Sequence, residues 1–308
     1  MRLFAISDVH TDFRENFQLL ERLSTREYRG DTLILAGDVS HDISVLRRTL
    51  DLFLSRFAHV FFVPGNHELW IRSGVQEDSL QKFNEILRIC EAYGVSTTAK
   101  SVGNGSGRVW VVPLFSWYTR PEEGPDTLFR PRPLQEPSQS VWSDDYLIKW
   151  PSYSPGHCTP QSLEFSAIRY FLSLNETRVG VAYDASIVSF SHFMPRADLM
   201  FPGPDQELPH VRTDRHIQCF NFSRVAGSTL IEDQIRRLGP RVHVYGHQHR
   251  NRRRYHNGIW YVSNCLGYRE ERENGSVGNP EEVVRQVWPM ETAVSSQSED
   301  RAFHFAHD

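Results

Sequence analysis

Five apolar segments of this 308-residue chain each run into a short polar motif made of Asp, Asn, His and Gly, and no other feature restricts the fold as much. "RLFAIS" (2–7) is followed by Asp8 and His10, and "TLILA" (32–36) by Gly37 and Asp38. "HVFFVP" (59–64) leads into Gly65, Asn66, His67 and Glu68. "SIVSFS" (186–191) meets His192, and "RVHVYG" (241–246) meets His247 and His249. Short runs rich in β-branched and aromatic residues, bounded by turn formers, read as strands. "RVWVVPLFSW" (108–117) and "IWYVSN" (259–264) belong with them. Helical periodicity fills 15–24, 43–57, 77–93, 159–174 and 223–238. Strands alternating with helices predict an α/β domain. Ligands of such domains gather beyond the carboxyl ends of the strands, and all five motifs fall there.

Each motif has an ordinary reading when taken alone. An Asp-x-His pair arises by chance, a single His is commonly hydrogen-bonded in a core, and Gly-Asn-His-Glu can be a turn with a helix cap. Coincidence would have to repeat at five strand ends. In extended backbone, residues two apart point the same way. Asp8 with His10, and His247 with His249, can then each aim two ligands at one point, while the glycines permit sharp turns and close approach. The residues read together as a metal site. A net charge of −4 does not suit a general nucleic-acid binder. No apolar run reaches the roughly 20 residues that span a bilayer. The chain opens on a strand pattern, so no leader peptide is expected. Cys90, Cys158, Cys219 and Cys265 are widely spaced, which favours reduced thiols and a cytoplasmic protein over disulfides or a zinc ribbon.

"DVH", "GDVS", "GNHE", "SHF" and "GHQH" resemble the five signature blocks of the calcineurin-like metallophosphoesterase superfamily, across residues 1–267. "SHFMPR" and "LGYREERE" are similar to a narrower cytosolic branch of it. The resemblance implies a four-layer αββα sandwich of two mixed β-sheets, with a dinuclear metal centre at the strand ends. It implies that Asp8, His10 and His249 hold one divalent ion, that Asn66, His192 and His247 hold the other, and that Asp38 bridges them. His67 would then sit beside the substrate phosphate rather than on a metal. One departure stands out. Phosphoprotein phosphatases of the superfamily carry "DRG" after the bridging Asp, whereas this chain reads "GDVSHD", which argues against a clamp on phosphorylated peptides.

A ligand set of carboxylate, amide and imidazole without thiolate suits Mn²⁺, Fe or Zn²⁺. Two divalent ions less the charges of Asp8 and Asp38 leave net positive charge for a phosphate ester. Ions about 3.5–4 Å apart can share a hydroxide acidified for attack. His67 is the candidate catalytic acid for the leaving oxygen, since imidazole titrates near neutrality. The alternative is that it only binds phosphate. Glu68 either orients His67 or caps the next helix. Arg196 is a further candidate for substrate contact, as is Asn66.

The function expected is hydrolysis of small phosphomonoesters or phosphodiesters in the cytoplasm. The alternatives are a nuclease, for which the only basic cluster is the "HRNRRRYH" run at 249–256, and a non-catalytic scaffold with the same fold. The ordinary reading of that run is a solvated hairpin loop. Residues 1–275 read as one domain with a long inserted loop at 118–158, where Trp142, Tyr146 or Trp150 can line a pocket or pin the loop. Residues 276–308 read as a polar, loosely ordered tail.

Overall fold

The computed structural model describes residues 1–72, 77–131, 142–151, 165–202, 220–277 and 283–290. The first half of the chain forms β1 (Leu3–Ile6), α1 (Arg14–Glu21), β2 (Thr32–Leu35), α2 (Ile43–Leu54), β3 (His59–Phe62), α3 (Asn66–Leu69), α4 (Ser79–Tyr93), β4 (Lys100–Val102) and β5 (Val109–Pro113). The second half adds α5 (Asp144–Leu147), α6 (Ala167–Val179), β6 (Ser186–Phe190), α7 (Thr229–Leu238), β7 (Val242–Tyr245), β8 (Arg252–His256), β9 (Ile259–Ser263), α8 (Arg269–Glu273) and β10 (Arg285–Trp288).

The strands make two mixed sheets, ordered β10-β1-β2-β3 and β4-β5-β6-β7-β9-β8. The first is parallel apart from β10, and its strands read as unbroken apolar runs because both faces are covered. Alternate residues serve different layers. Phe4, Ile6, Leu33, Leu35, Val60 and Phe62 cluster with Leu46, Leu50 and Phe53 of α2 and Ile86 and Ile89 of α4. Their neighbours Leu3, Ala5, Ile34 and Phe61 cluster with Val111, Val188 and Val244 of the second sheet. Phe171 of α6 and Ile231 and Ile235 of α7 complete the same core. The layers therefore run helix, sheet, sheet, helix.

The helices start and stop where local chemistry dictates. Asp42 caps α2 by accepting from the amides of Ser44 (2.7 Å) and Val45 (3.2 Å). Asp78 caps α4, which ends at Gly94 with φ +75°. The helix expected at 223–238 begins only at Thr229, because the Ser228 side chain caps it there, and Phe222–Arg224 form a separate 3₁₀ turn. Of the helix expected at 159–174, residues 159–164 lie outside the described residues, and α6 runs on to Val179.

Two expectations need correction. The tail is not loose from its start, since Arg285–Trp288 pair antiparallel with β1 and form a sheet edge. Val284 and Val287 are buried there in the clusters on opposite sides of the sheet, so apolar residues on both faces of a polar stretch decide the outcome. Residues 291–308 lie outside the described residues. The basic run is not a solvated loop either. Arg252–His256 form the edge strand β8, hairpinned to β9 through Asn257 and Gly258, both at positive φ. Cys90 and Cys265 are free and buried, while Cys158 and Cys219 lie outside the described residues.

The two sheets are stitched together at the carboxyl ends of β1 and β9. The amide of Ser7 donates to Asn264 O (2.9 Å) and that of Leu266 to Ser7 O (3.0 Å). The seam brings Asp8 against the loop that carries His247 and His249.

Candidate metal centre

The loops after β1, β2 and β7 share an unusual backbone. Six non-glycine residues among those described have positive φ, and five are Asp8 (51°), His10 (40°), Asp38 (56°), His247 (73°) and His249 (54°). A left-handed L-residue costs of order 1 kcal/mol or more, and such strain collects at functional sites. The pairs Asp8/His10 and His247/His249 therefore converge through left-handed turns, not through the extended backbone expected from their spacing. Main-chain bonds hold the turns: the amide of Asp8 donates to Gly37 O (2.9 Å), that of His10 to Asp38 O (3.0 Å) and that of Gly246 to His192 O (2.9 Å). Glycine is required between them. A Cβ on Gly37, which has φ +83°, would lie 2.5 Å from His192 Nδ1, and one on Gly246 would lie 2.7 Å from Asp8 Oδ2.

Glu68 is the keystone of the loops. One carboxylate oxygen accepts from the amides of Val39 (2.6 Å) and Ser40 (2.9 Å), the other from those of Asp38 (2.9 Å) and Gly65 (2.7 Å). It binds the Gly-Asp loop to the Gly-Asn-His-Glu turn and, through the Gly65 amide, caps the N-terminus of α3. Burial and the charge of Asp38 push its carboxyl up to about 7, against the pull of the backbone donors. Asn16 does similar work behind Asp8 and His10, donating to Val9 O (2.9 Å) and Gly267 O (3.0 Å) while accepting from Arg272 (2.8 Å).

Asp8, His10, Asp38, His67, His192, His247 and His249 form three overlapping groups whose candidate ligand atoms lie within 4.8 Å of one another: Asp8/His10/His249, His10/Asp38/His67 and Asp38/His192/His247. Asp38 belongs to two of them. Asn66 joins the third group, its Oδ1 being 3.3 Å from His192 Nε2.

The tautomers can be read from the outer partners. His192 Nδ1 donates to Ala36 O (2.9 Å) and His247 Nε2 donates to Val225 O (3.0 Å), and a carbonyl can only accept. In the neutral rings, His192 Nε2 and His247 Nδ1 therefore face each other at 3.2 Å with lone pairs. Asn66 Oδ1 and Asp38 Oδ2 (3.3 Å from His192 Nε2) add more acceptors. His249 Nδ1 is held by Glu271 at 2.6 Å, which leaves its Nε2 facing His10 Nε2 (3.0 Å) and Asp8 Oδ1 (3.4 Å). Converging acceptors without a donor are what a cation needs, and the outer carboxylate or carbonyl that His192, His247 and His249 each have is the usual support of a metal-binding His, while His10 Nδ1 is buried without a partner. The residues present thus fit divalent ions. Protons are the competing occupants. Burial opposes charge on His192 and His249, yet Asp38 holds the first up to about 9 and Asp8 the second up to about 10. Burial pushes His247 down to about 3 and His67 down to about 4.

His67 differs from its neighbours. Its side chain is 15% exposed, against 0% for His192. Its ring packs on Trp70 at 3.7 Å between centroids, and its Nε2 is 3.8 Å from Asp38 Oδ2. Arg196 lies apart from this cluster in its described contacts, paired with Asp198 (3.0 Å) and Glu232 (3.2 Å). Trp142 stacks on Phe220 (4.9 Å, 4°) and abuts His247 (6.0 Å). Trp150 packs into the core against Trp117, and Tyr146 is exposed.

A family model described as "Calcineurin-like phosphoesterase" matches residues 1–251. The chain belongs to the calcineurin-like phosphoesterase family. It is 27% identical, over 315 aligned positions covering 98% of this chain and 88% of the relative, to the [acyl-carrier-protein] phosphodiesterase PptH of Mycobacterium tuberculosis. The crystal structure of that phosphopantetheinyl hydrolase superposes with a TM-score of 0.70 at 25% identity, covering 96% of this chain and 98% of the other. The fold is that of the family, and the protein is a phosphoric ester hydrolase. Membership of the family implies divalent metal ions. No helix among the described residues is long and apolar enough to cross a membrane.

Sequence reasoning passed over Glu271, Asp144, Asn16 and Tyr268. Glu271 and Tyr268 sit in the "LGYREERE" segment, and Tyr268 stacks on His10 (4.6 Å, 27°). Both are far along the chain from the strand-end motifs, and their one sequence signal is the likeness of that segment to the narrower branch, which says nothing of where they lie.

Proposed function

We propose that the protein is a dinuclear metal-dependent phosphodiesterase. Asp8, His10 and His249 would hold one ion, Asn66, His192 and His247 the second, and Asp38 both. The facing lone pairs of His192 Nε2 and His247 Nδ1, 3.2 Å apart beside Asp38, are the observation that carries this reading. A site of carboxylates, an amide and imidazoles suits Mn²⁺, Fe or Zn²⁺. Such ions, when bound, acidify a water and neutralise phosphoryl oxygens.

The chain's own groups do the rest. Asp38 is aimed by the amide of His67, which donates to its Oδ1 at 3.0 Å. His67, the most open imidazole of the cluster, is placed to protonate or hydrogen-bond the leaving oxygen, and Trp70 behind it fixes the ring plane. Tyr268 and Phe13 close the side next to His10.

The similarity to an acyl-carrier-protein phosphodiesterase favours a diester over a monoester, and a phosphopantetheinyl diester of an acyl-carrier protein joins small diesters as a substrate class. The nuclease reading loses support, because its basic cluster is already engaged. Arg250 donates to His249 O (3.0 Å), Arg252 to Met200 O (3.1 Å) and Arg254 to Asp198 O (2.6 Å), while Arg253 lies over Trp260 (4.4 Å). The scaffold reading conflicts with a full set of candidate ligands. A cytoplasmic setting accords with the free thiols of Cys90 and Cys265.

The test is to load the stripped protein with Mn²⁺ and offer bis-nitrophenyl phosphate, nitrophenyl phosphate, oligonucleotides and a phosphopantetheinylated carrier protein. Turnover of the non-nucleotide diesters above the monoester is expected. Activity confined to oligonucleotides or to the monoester would overturn the reading.

A further inference from the structure

Asn66 differs from the other candidate ligands, because its side chain has an acceptor at one end and a donor at the other. Only one orientation presents oxygen to a cation. Asp144, at the start of α5 in the inserted segment, accepts from Asn66 Nδ2 at 3.0 Å. The same oxygen, Oδ1, accepts from Trp70 Nε1 (2.6 Å), and Oδ2 accepts from Trp142 Nε1 (2.8 Å). Three N–H groups thus point at one carboxylate that is only 3% exposed. Both carboxylate oxygens are engaged, and a carboxylate cannot satisfy a flipped amide.

The insertion is held in register for this task. The amide of Ile71 donates to Leu147 O (2.7 Å) and that of Ser79 to Lys149 O (2.7 Å), while Lys149 N donates to Ser79 Oγ (2.9 Å). Those bonds tie the carboxyl end of α5 to the segment after α3 and to the first residue of α4. Trp142, anchored by Asp144, reaches the ring of His247, a candidate ligand on the opposite loop.

We infer that Asp144 is a positioning residue: it fixes the Asn66 amide with oxygen toward the second ion, and so makes metal binding depend on the inserted segment. The inference rests on the dinuclear reading above. Loss of Asp144 frees the amide to turn its NH₂ toward the ion. Outer-sphere partners of metal ligands typically contribute 10- to 100-fold in affinity.

Calorimetric titration of the metal-stripped protein with Mn²⁺ tests this, with wild type, Asp144→Ala and the double variant Asn66→Asp/Asp144→Ala. An alanine is used because an asparagine at 144 would keep one oxygen for Asn66 and Trp70. Wild type should take two ions. Asp144→Ala should bind the first ion normally, which also shows that it is folded, and bind the second about 10- to 100-fold more weakly. In the double variant a carboxylate at 66 offers oxygen in either orientation, so second-ion affinity should recover at least in part. If Asp144→Ala fails to fold, two-ion binding by a folded double variant still upholds the inference. Normal second-ion binding by Asp144→Ala would overturn it, as would a deficit that the double variant does not repair, since Asp144 would then only pack the insertion. A wild-type protein that binds fewer than two ions sinks the dinuclear reading and this inference with it.

Discussion

Glu68→Gln is a near-isosteric change whose cost can be worked from the geometry. Each carboxylate oxygen of Glu68 accepts two backbone amides, at 2.6 and 2.9 Å on Oε1 and at 2.7 and 2.9 Å on Oε2. Glutamine retains one oxygen. Whichever way its amide turns, an NH₂ faces two buried N–H donors, so two bonds to a charged acceptor are lost. Such bonds contribute about 1.5–3 kcal/mol each, which gives a penalty of about 3–6 kcal/mol. That is a large share of the roughly 5–15 kcal/mol by which a domain is stable. With an unfolding entropy near 2.1 cal/mol/K per residue, the melting temperature of a chain this long should fall by about 5–9 °C. Differential scanning calorimetry of the metal-free proteins, above the pH of about 7 at which the Glu68 carboxyl ionises, measures this. Because Glu68 joins the loops of Asp38 and Asn66, metal content should also drop. A melting temperature within about 1 °C of wild type would refute the view that this carboxylate holds the loops together.

Other consequences are as direct. His67→Ala should keep its metal content and lose roughly 10²–10⁴ in turnover, with a smaller loss for nitrophenol than for alkyl leaving groups; an equal loss across that series would assign His67 to phosphate binding alone. His243 sits in the core between Ser189 (2.8 Å) and Ser191 (3.1 Å), and burial lowers its folded pKa to about 3. The unfolded chain takes up that proton first as pH falls through about 6.5, so the stability His243 contributes is complete above that pH and erodes toward pH 3, by about 2 kcal/mol between pH 7 and 5. His243→Gln should remove that part of the slope in urea unfolding at the two pH values, and an unchanged slope would contradict the assignment. Changing Arg250, Arg252, Arg253 and Arg254 together to Ser should lower thermal stability and leave hydrolysis of a nitrophenyl diester, and its shallow salt dependence, nearly unaltered. Oligonucleotide cleavage with a steep salt slope, abolished by that change, would restore the nuclease reading.

The interior was legible because both sheets are covered on both faces. Buried parallel strands must be continuous apolar runs, so β1, β2, β3, β5, β6, β7 and β9 stood out within a residue or a few of their ends. The edge strands did not. β4 has three residues, β8 is four-fifths Arg and His apart from Tyr255, and β10 lies in a polar stretch, since a strand bonded on one side needs little apolar sequence. The candidate ligands were legible because each follows a buried strand. Asp144 and Glu271 were not, because the contacts Asp144–Asn66 and Glu271–His249 are made by segments whose paths no periodicity reports. Glu68 was half legible: of its two readings, a partner for the His67 ring or a helix cap, the carboxylate takes the second through the Gly65 amide, while its bonds to the main chain of residues 38–40 had no sequence signal.

The central claim is that Asp38 lies between two ions. Electron paramagnetic resonance of the stripped protein titrated with Mn²⁺ addresses it without an assay of activity. At two equivalents, the wild-type spectrum should be that of an exchange-coupled pair, as expected for ions about 3.5–4 Å apart sharing ligands. Asp38→Asn should lose the coupling and most of the bound metal, whereas His10→Ala should keep one ion with an uncoupled six-line spectrum. A wild-type protein that shows only uncoupled Mn²⁺ at saturation, or an Asp38→Asn variant with the wild-type coupled spectrum, would contradict the account.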